Sequence, residues 1–84
     1  MPSYLIETYL ARGRAGERAQ REQRARSAAE QTGVRFERSI YVPEDEICFF
    51  IVDAPSSRHA ALIAERAGLE PVRIVEASPS EQEA

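Results

Sequence analysis

The sequence predicts a single α+β domain with the element order β-α-β-β-α-β. Three observations carry this reading: two helix-forming stretches each closed by a glycine, four short apolar or alternating runs around them, and turn residues at the junctions. The chain has 84 residues, 43% of them hydrophobic and 30% charged, which suits one globular domain and excludes wholesale disorder. A domain of this size buries only about 60 to 65% of its unfolded surface, so dimerisation is expected.

Residues 3 to 10, SYLIETYL, are rich in aromatic and β-branched side chains and form the first strand, broken by Gly13 and Gly16. Ala15 to Thr32 is dominated by Ala, Arg, Glu and Gln, strong helix formers, and Gly33 supplies a stop. The next run alternates with period two. Val34, Phe36, Arg38, Ile40 and Val42 fall on one face, and Arg35, Glu37, Ser39 and Tyr41 on the other. Pro43 ends that strand, and Pro43-Glu44-Asp45 suits a β-turn with proline at its second position. The third strand, EICFFIVDA, is apolar on both faces through Ile47, Cys48, Phe49, Phe50, Ile51 and Val52, so it is expected in the middle of the sheet, covered from both sides. After Pro55, Ser56 or Ser57 can cap a second helix with Ala60, Ile63, Ala64 and Ala67 at helical spacing before Gly68. Pro71 then opens the last strand, VRIVEA. Residues 1–77 make the domain, and residues 78–84 are read as a flexible acidic tail.

This order is two split βαβ units, the ferredoxin-like pattern of a four-stranded antiparallel sheet with two helices on one face and the first and third strands central. Helices cover only one face, yet the third strand is apolar on both. The expected cover is a second copy, dimerising through the open sheet face.

The stretches MPSYLIETY, GVRFERSIYVPEDEICFFIVDAPS and ERAGLEPVRIVEA span nearly the whole chain. Through them it resembles small bacterial ferredoxin-like proteins grouped as a domain of unknown function, some of whose members are described as nickel-binding. Pro43, Glu44, Asp45 and Glu46, then Cys48 and Ala54-Pro55, are the most specific part of the match. The resemblance implies a dimeric ferredoxin-like fold and binding of a divalent metal or small ligand. Members of that family often carry a histidine near the position of Ile63 and Ala64, about one turn beyond the only histidine here, His59.

One cysteine and one histidine exclude an internal disulfide, a cysteine-cluster zinc site and every multi-histidine motif. A metal site would have to be carboxylate-rich or shared between subunits. Its candidate ligands are His59 and the turn carboxylates Glu44, Asp45 and Glu46. Glu7 and Asp53 interrupt apolar stretches of strands expected to be central. There a carboxylate needs a partner, Arg35, Arg38 or Arg73, or serves as a base. Candidate catalytic groups are therefore Glu7, Asp53 and His59.

Tyr4, Tyr9, Arg18, Tyr41 and Cys48 are the candidates for a ligand pocket. The bland alternative makes the aromatics core and interface, and Cys48 a small buried hydrophobe. On a helical wheel Ala15, Ala19, Ala25, Ala28 and Ala29 share an arc with Arg18 in its middle. Either the helix packs through its C-terminal half, or Arg18 reaches a carboxylate or ligand. Arg12, Arg14, Arg18, Arg21, Arg24 and Arg26 concentrate positive charge, but Glu17 and Glu22 stand four residues before Arg21 and Arg26, the favourable helix pairing. The net charge of -3 and the lack of any nucleic-acid motif make a solvated helix face the default.

No apolar run approaches the roughly 18 residues of a membrane span, and MPSYLIETYL lacks a basic region with a cleavage site, so a cytoplasmic protein is expected. The leading function is a homodimeric, non-catalytic binder of a small ligand or divalent metal, nickel included. The alternative is a cofactor-independent enzyme of the oxygenase or isomerase type, and nucleic-acid binding stands third.

Overall fold

In a computed structural model, which describes residues 1–78, the elements are β1 (Ser3–Tyr9), a 3-10 segment (Arg12–Glu17), α1 (Arg18–Thr32), β2 (Arg35–Val42), β3 (Ile47–Asp53), α2 (Ser57–Arg66) and β4 (Arg73–Ala77). All strand pairs are antiparallel, in the order β2-β3-β1-β4. This is the expected ferredoxin-like sheet with β1 and β3 in the middle. Beyond Ser78, the acidic tail read from the sequence lies outside the described residues.

Both helices end alike. At Gly33 (φ 74°) the N–H of Val34 donates to the Ala29 carbonyl at 3.0 Å, and at Gly68 (φ 66°) the N–H of Leu69 donates to Ala64 at 2.9 Å. These are Schellman closures, whose left-handed residue is normally glycine. Ser56 is the cap of α2, accepting from the His59 N–H. The start of α1 departs from expectation. Gly16 weakens the helix, Arg14 is non-helical, and residues 12–17 coil as a 3-10 segment, so the regular helix begins at Arg18 rather than Ala15.

A second departure matters more. Between Phe36 and Arg38 the β2–β3 register skips Glu37, a β-bulge. One extra residue reverses every later side chain. Phe36, Ser39 and Tyr41 pair with Val52, Phe50 and Cys48, whereas Arg38, Ile40 and Val42 pair with Ile51, Phe49 and Ile47. The uninterrupted alternation expected from Val34 to Val42 is thereby corrected.

The core fills one side of the sheet. Ile6, Leu10, Cys48, Phe50, Val52, Ala54, Ala60 and Ile63 are fully buried there. From α1 only Ala25, Ala28 and Ala29 are buried, so it packs through its C-terminal half, and Ala19 of the expected arc is exposed. The smallest molecular dimension is 17 Å, the thickness of a sheet and one helix layer, since a helix with side chains is about 10–12 Å across. Among the described residues nothing covers the opposite face of the sheet.

Candidate functional site

The bare face follows from strand periodicity. Register places Leu5, Glu7 and Tyr9 of β1 beside Ile51, Phe49 and Ile47 of β3, with Ile40 and Val42 on one flank and Val75 and Arg73 on the other. Ile40 is 43% exposed and Tyr9 58%, while Phe49 and Ile51 are half-buried among their neighbours. Apolar residues therefore dominate this face, with Glu7, Arg38 and Arg73 set among them.

Glu7 stands inside it, between Phe49 on β3 and Arg73 on β4. The Arg73 Nε donates to Glu7 Oε1 at 2.9 Å, and the Val72 N–H donates to the Glu7 carbonyl at 2.7 Å. The Glu7 side chain is only 14% exposed, that of Arg73 66%. A carboxylate in an apolar field needs such a partner, and one of the three arginines expected from the sequence supplies it.

Asp53 lies on the same face at a corner. The Ser3 hydroxyl donates to its Oδ1 at 2.7 Å, and Arg35 stands 4.0 Å from Oδ2. The bulge brings Glu37 to this corner, 3.4 Å from the Ser3 hydroxyl. A hydrogen bond to Asp53, reinforced by burial and repulsion, raises Glu37 above the ordinary glutamate range. Burial pushes Asp53 up, but hydrogen bonds from Glu37 and Ser3 outweigh it and hold Asp53 below the usual value. Asp53 pairs with Ser3, four residues from Glu7, which sets the two acids about 13 Å apart. They share a face but not a pocket.

The helix side holds a different polar cluster. Arg18 donates through Nε to the Ser39 hydroxyl and through Nη2 to the Ser39 carbonyl, both at 3.0 Å, and that hydroxyl donates to Glu22 Oε2 at 3.2 Å. Of the two sequence alternatives for α1, packing through the C-terminal half holds, while Arg18 is bound by Ser39 rather than directly by a carboxylate. Thr8 donates to the Cys48 carbonyl at 2.8 Å, and Tyr41 to the Leu10 carbonyl at 2.8 Å. Burial raises the Cys48 thiol, against the pull of Arg18 and Arg21. The five residues proposed as a ligand pocket do not line one. Tyr4, Arg18, Tyr41 and Cys48 belong to the helix side, and Tyr9 to the open face, because alternate residues of β1 point oppositely.

The acidic turn is structural. Asp45 N–H donates to Val42, and Glu46 N–H to Pro43, closing consecutive turns with Pro43 at the expected second position. Glu46 (φ 54°) accepts the Leu10 N–H on its carbonyl at 2.8 Å and the Arg12 N–H on Oε2 at 2.9 Å, while Tyr9 donates to Oε1 at 3.4 Å. Glu44 and Asp45 are exposed.

His59 is exposed at the start of α2, its Nδ1 2.8 Å from the Ser56 hydroxyl. The turn precedes β3 and α2 follows it, so seven strand residues, about 23 Å, separate the two regions. His59 cannot join Glu44, Asp45 and Glu46 in one site within a chain. Among the described residues no group of three or more His, Cys, Asp and Glu side chains is arranged to hold a metal.

Surface recesses lie beside α2 and β4 (Ala61, Gly68, Pro71, Ile74), near Gly13 and Gly16, and at Arg58, His59 and Leu62, none of them lined by Glu7 or Asp53. The arginines of α1 are spent internally. Arg21 and Arg26 pair with Glu17 and Glu22 at 3.5 and 3.7 Å, as their spacing predicts, and Arg24 donates to the Ala67 carbonyl. Arg14 holds Glu17 below the ordinary glutamate range.

Sequence reasoning missed Glu37 and Ser39. A bulge leaves no compositional signal in β2, and both residues take their roles from it. Among the described residues, no helix is long and apolar enough to cross a membrane.

No protein-family model and no curated protein matches the chain. Among solved structures it is similar to SCO4226 from Streptomyces coelicolor A3(2), known from a crystal structure analysis, with a TM-score of 0.80 at 19% identity over 93% of this chain and 98% of that one. The likeness confirms the βαββαβ fold.

Proposed function

We propose that the chain acts in the cytoplasm as a homodimer packed sheet to sheet, and that it binds a small ligand or a divalent metal, nickel included, rather than catalysing a reaction. The observation that carries this reading is the apolar open face. The helix face is filled, and among the described residues no buried side-chain polar atom lacks a partner. The open face measures about 19 by 23 Å from strand spacing and rise, so two copies with their side-chain relief bury on the order of 1,000 Å², the lower bound for a specific interface. Arg35, Arg38 and Arg73 are matched there by Glu7, Glu37 and Asp53. A face without net charge suits a copy of itself and offers little to a polyanion.

A metal would draw ligands from both copies, since the described residues of one chain do not assemble a complete set. Sedimentation and calorimetric titration of untagged protein with nickel, zinc and copper test the two parts. A monomer at high concentration removes the dimer, and no metal binding tighter than millimolar removes the metal.

Glu7 favours a second reading, a cofactor-independent oxygenase or isomerase. It is a carboxylate that sheet packing would enclose, with Oε2 open as a base. An enclosed pocket beside Glu7 in a crystal structure of the dimer is its requirement, and a close-packed interface there rejects it.

A further inference from the structure

We infer that Glu7 and Arg73 are the cross-subunit lock of this dimer. Each Arg73 keeps Nε on its own Glu7 and turns its Nη groups to Glu7 of the second copy, closing a ring of four charges. The inference rests on the homodimer reading above and names the residues that set its register.

Position comes first. The row Ile40, Phe49, Glu7 and Arg73 lies between a row of Ile51, Leu5 and Val75 that carries Arg38 at its outer end on the edge strand β2 and an apolar row containing Val42, Ile47 and Tyr9. The charges of Arg35, Glu37 and Asp53 sit at a corner with one another and Ser3. Glu7 and Arg73 are thus the charged pair that a covering sheet desolvates most.

Capacity comes second. A guanidinium has five N–H donors and a carboxylate two oxygens. Among the described residues only Nε of Arg73 and Oε1 of Glu7 are bonded in this pair. Removing two ions from water costs several kcal/mol each and is offset only when further hydrogen bonds satisfy the remaining groups. A partner without matching charge would strand the Nη groups and Oε2. With its side chain 66% exposed, Arg73 has room to reach across.

Symmetry comes third. A two-fold interface presents one patch twice, so residue i meets j and j meets i. An acid and a base on neighbouring strands, as Glu7 and Arg73 are, form a self-complementary motif. A register that sets Glu7 against Glu7 alone is repelled.

The test uses Glu7→Arg and Arg73→Glu in the full chain, with circular dichroism as the folding control. Each variant alone places like charges at the lock, and dimer dissociation should rise at least about thirty-fold. Mixed in equal amounts, the two should recover a heterodimer visible by native mass spectrometry. Single variants that dimerise like the parent, or a mixture that does not recombine, overturn the lock while leaving the dimer standing. A monomeric parent removes the dimer and the lock together. Should charge reversal unfold the chain, Glu7→Gln and Arg73→Gln should each weaken dimerisation at least about tenfold, and unchanged dimers overturn the lock.

Discussion

The two faces of one sheet differ in how far their chemistry is completed within the chain. On the helix face Ile6, Phe50 and Val52 are fully buried, and the polar groups there, Arg18, Ser39, Glu22 and Thr8, bond to one another or to backbone. On the open face Phe49 and Ile51 remain half-buried, Tyr9 is exposed, and an ion pair has donors to spare. A sheet with helices on one side has two apolar surfaces to cover and covers one. The unfinished chemistry of the open face, rather than any single reactive residue, is what supports the interaction surface proposed above.

Adjacent phenylalanines give the sharpest way to break this comparison. Phe50→Ala, on the helix face, should cost about 3–5 kcal/mol by urea denaturation at any protein concentration, because the cavity cannot collapse. Phe49→Ala, one residue earlier on the open face, should cost about 1 kcal/mol in dilute protein and, under the proposed dimer, more as concentration rises, because a second copy would complete its burial. Equal, concentration-independent losses would erase the distinction between the faces.

Arg18→Ala should cost about 1–3 kcal/mol, measured the same way, because it strips the Ser39 carbonyl and hydroxyl of their donor. Arg18→Lys should recover only part of that loss, lacking the planar fork. A neutral Arg18→Ala result would mean that the inner network adds nothing to the helix face.

The smallest effect belongs to the open-face corner. Asp53 is depressed, so its stabilisation is present above the ordinary aspartate range and fades as pH falls through its folded value. Glu37 is raised, so its ionised form penalises the fold at neutral pH and the penalty lifts as pH falls towards its ordinary value. Glu37→Gln keeps a donor to Asp53 at every pH. It should stabilise by less than about 1 kcal/mol at pH 7, with the gain narrowing towards pH 4 in pH-dependent urea melts. A gain independent of pH would dissolve the carboxyl pair.

Much of the fold was legible because it rests on local chemistry. Gly33 and Gly68 close helices by the left-handed backbone that glycine adopts freely, Pro43 starts the turn, and Ser56 caps α2. The candidate site was legible only in part. Glu7 and Asp53 stood out as acids in apolar strands, and their arginine partners were among those expected. The split of the pocket candidates, and the distance between His59 and the acidic turn, depend on which face and which end of the sheet each residue occupies.

Sequence alone determined the order of elements and the central place of β3 with its two apolar faces, since composition and period act within one strand or helix. Tertiary structure alone decided the bulge at Glu37, the pairing of Glu37 with Asp53, the anchoring of Arg18 on Ser39 and the placement of Glu7 beside Arg73. Each joins residues far apart in the chain, and strand register, which a one-residue slip reverses, is set by how the whole sheet packs rather than by any strand alone.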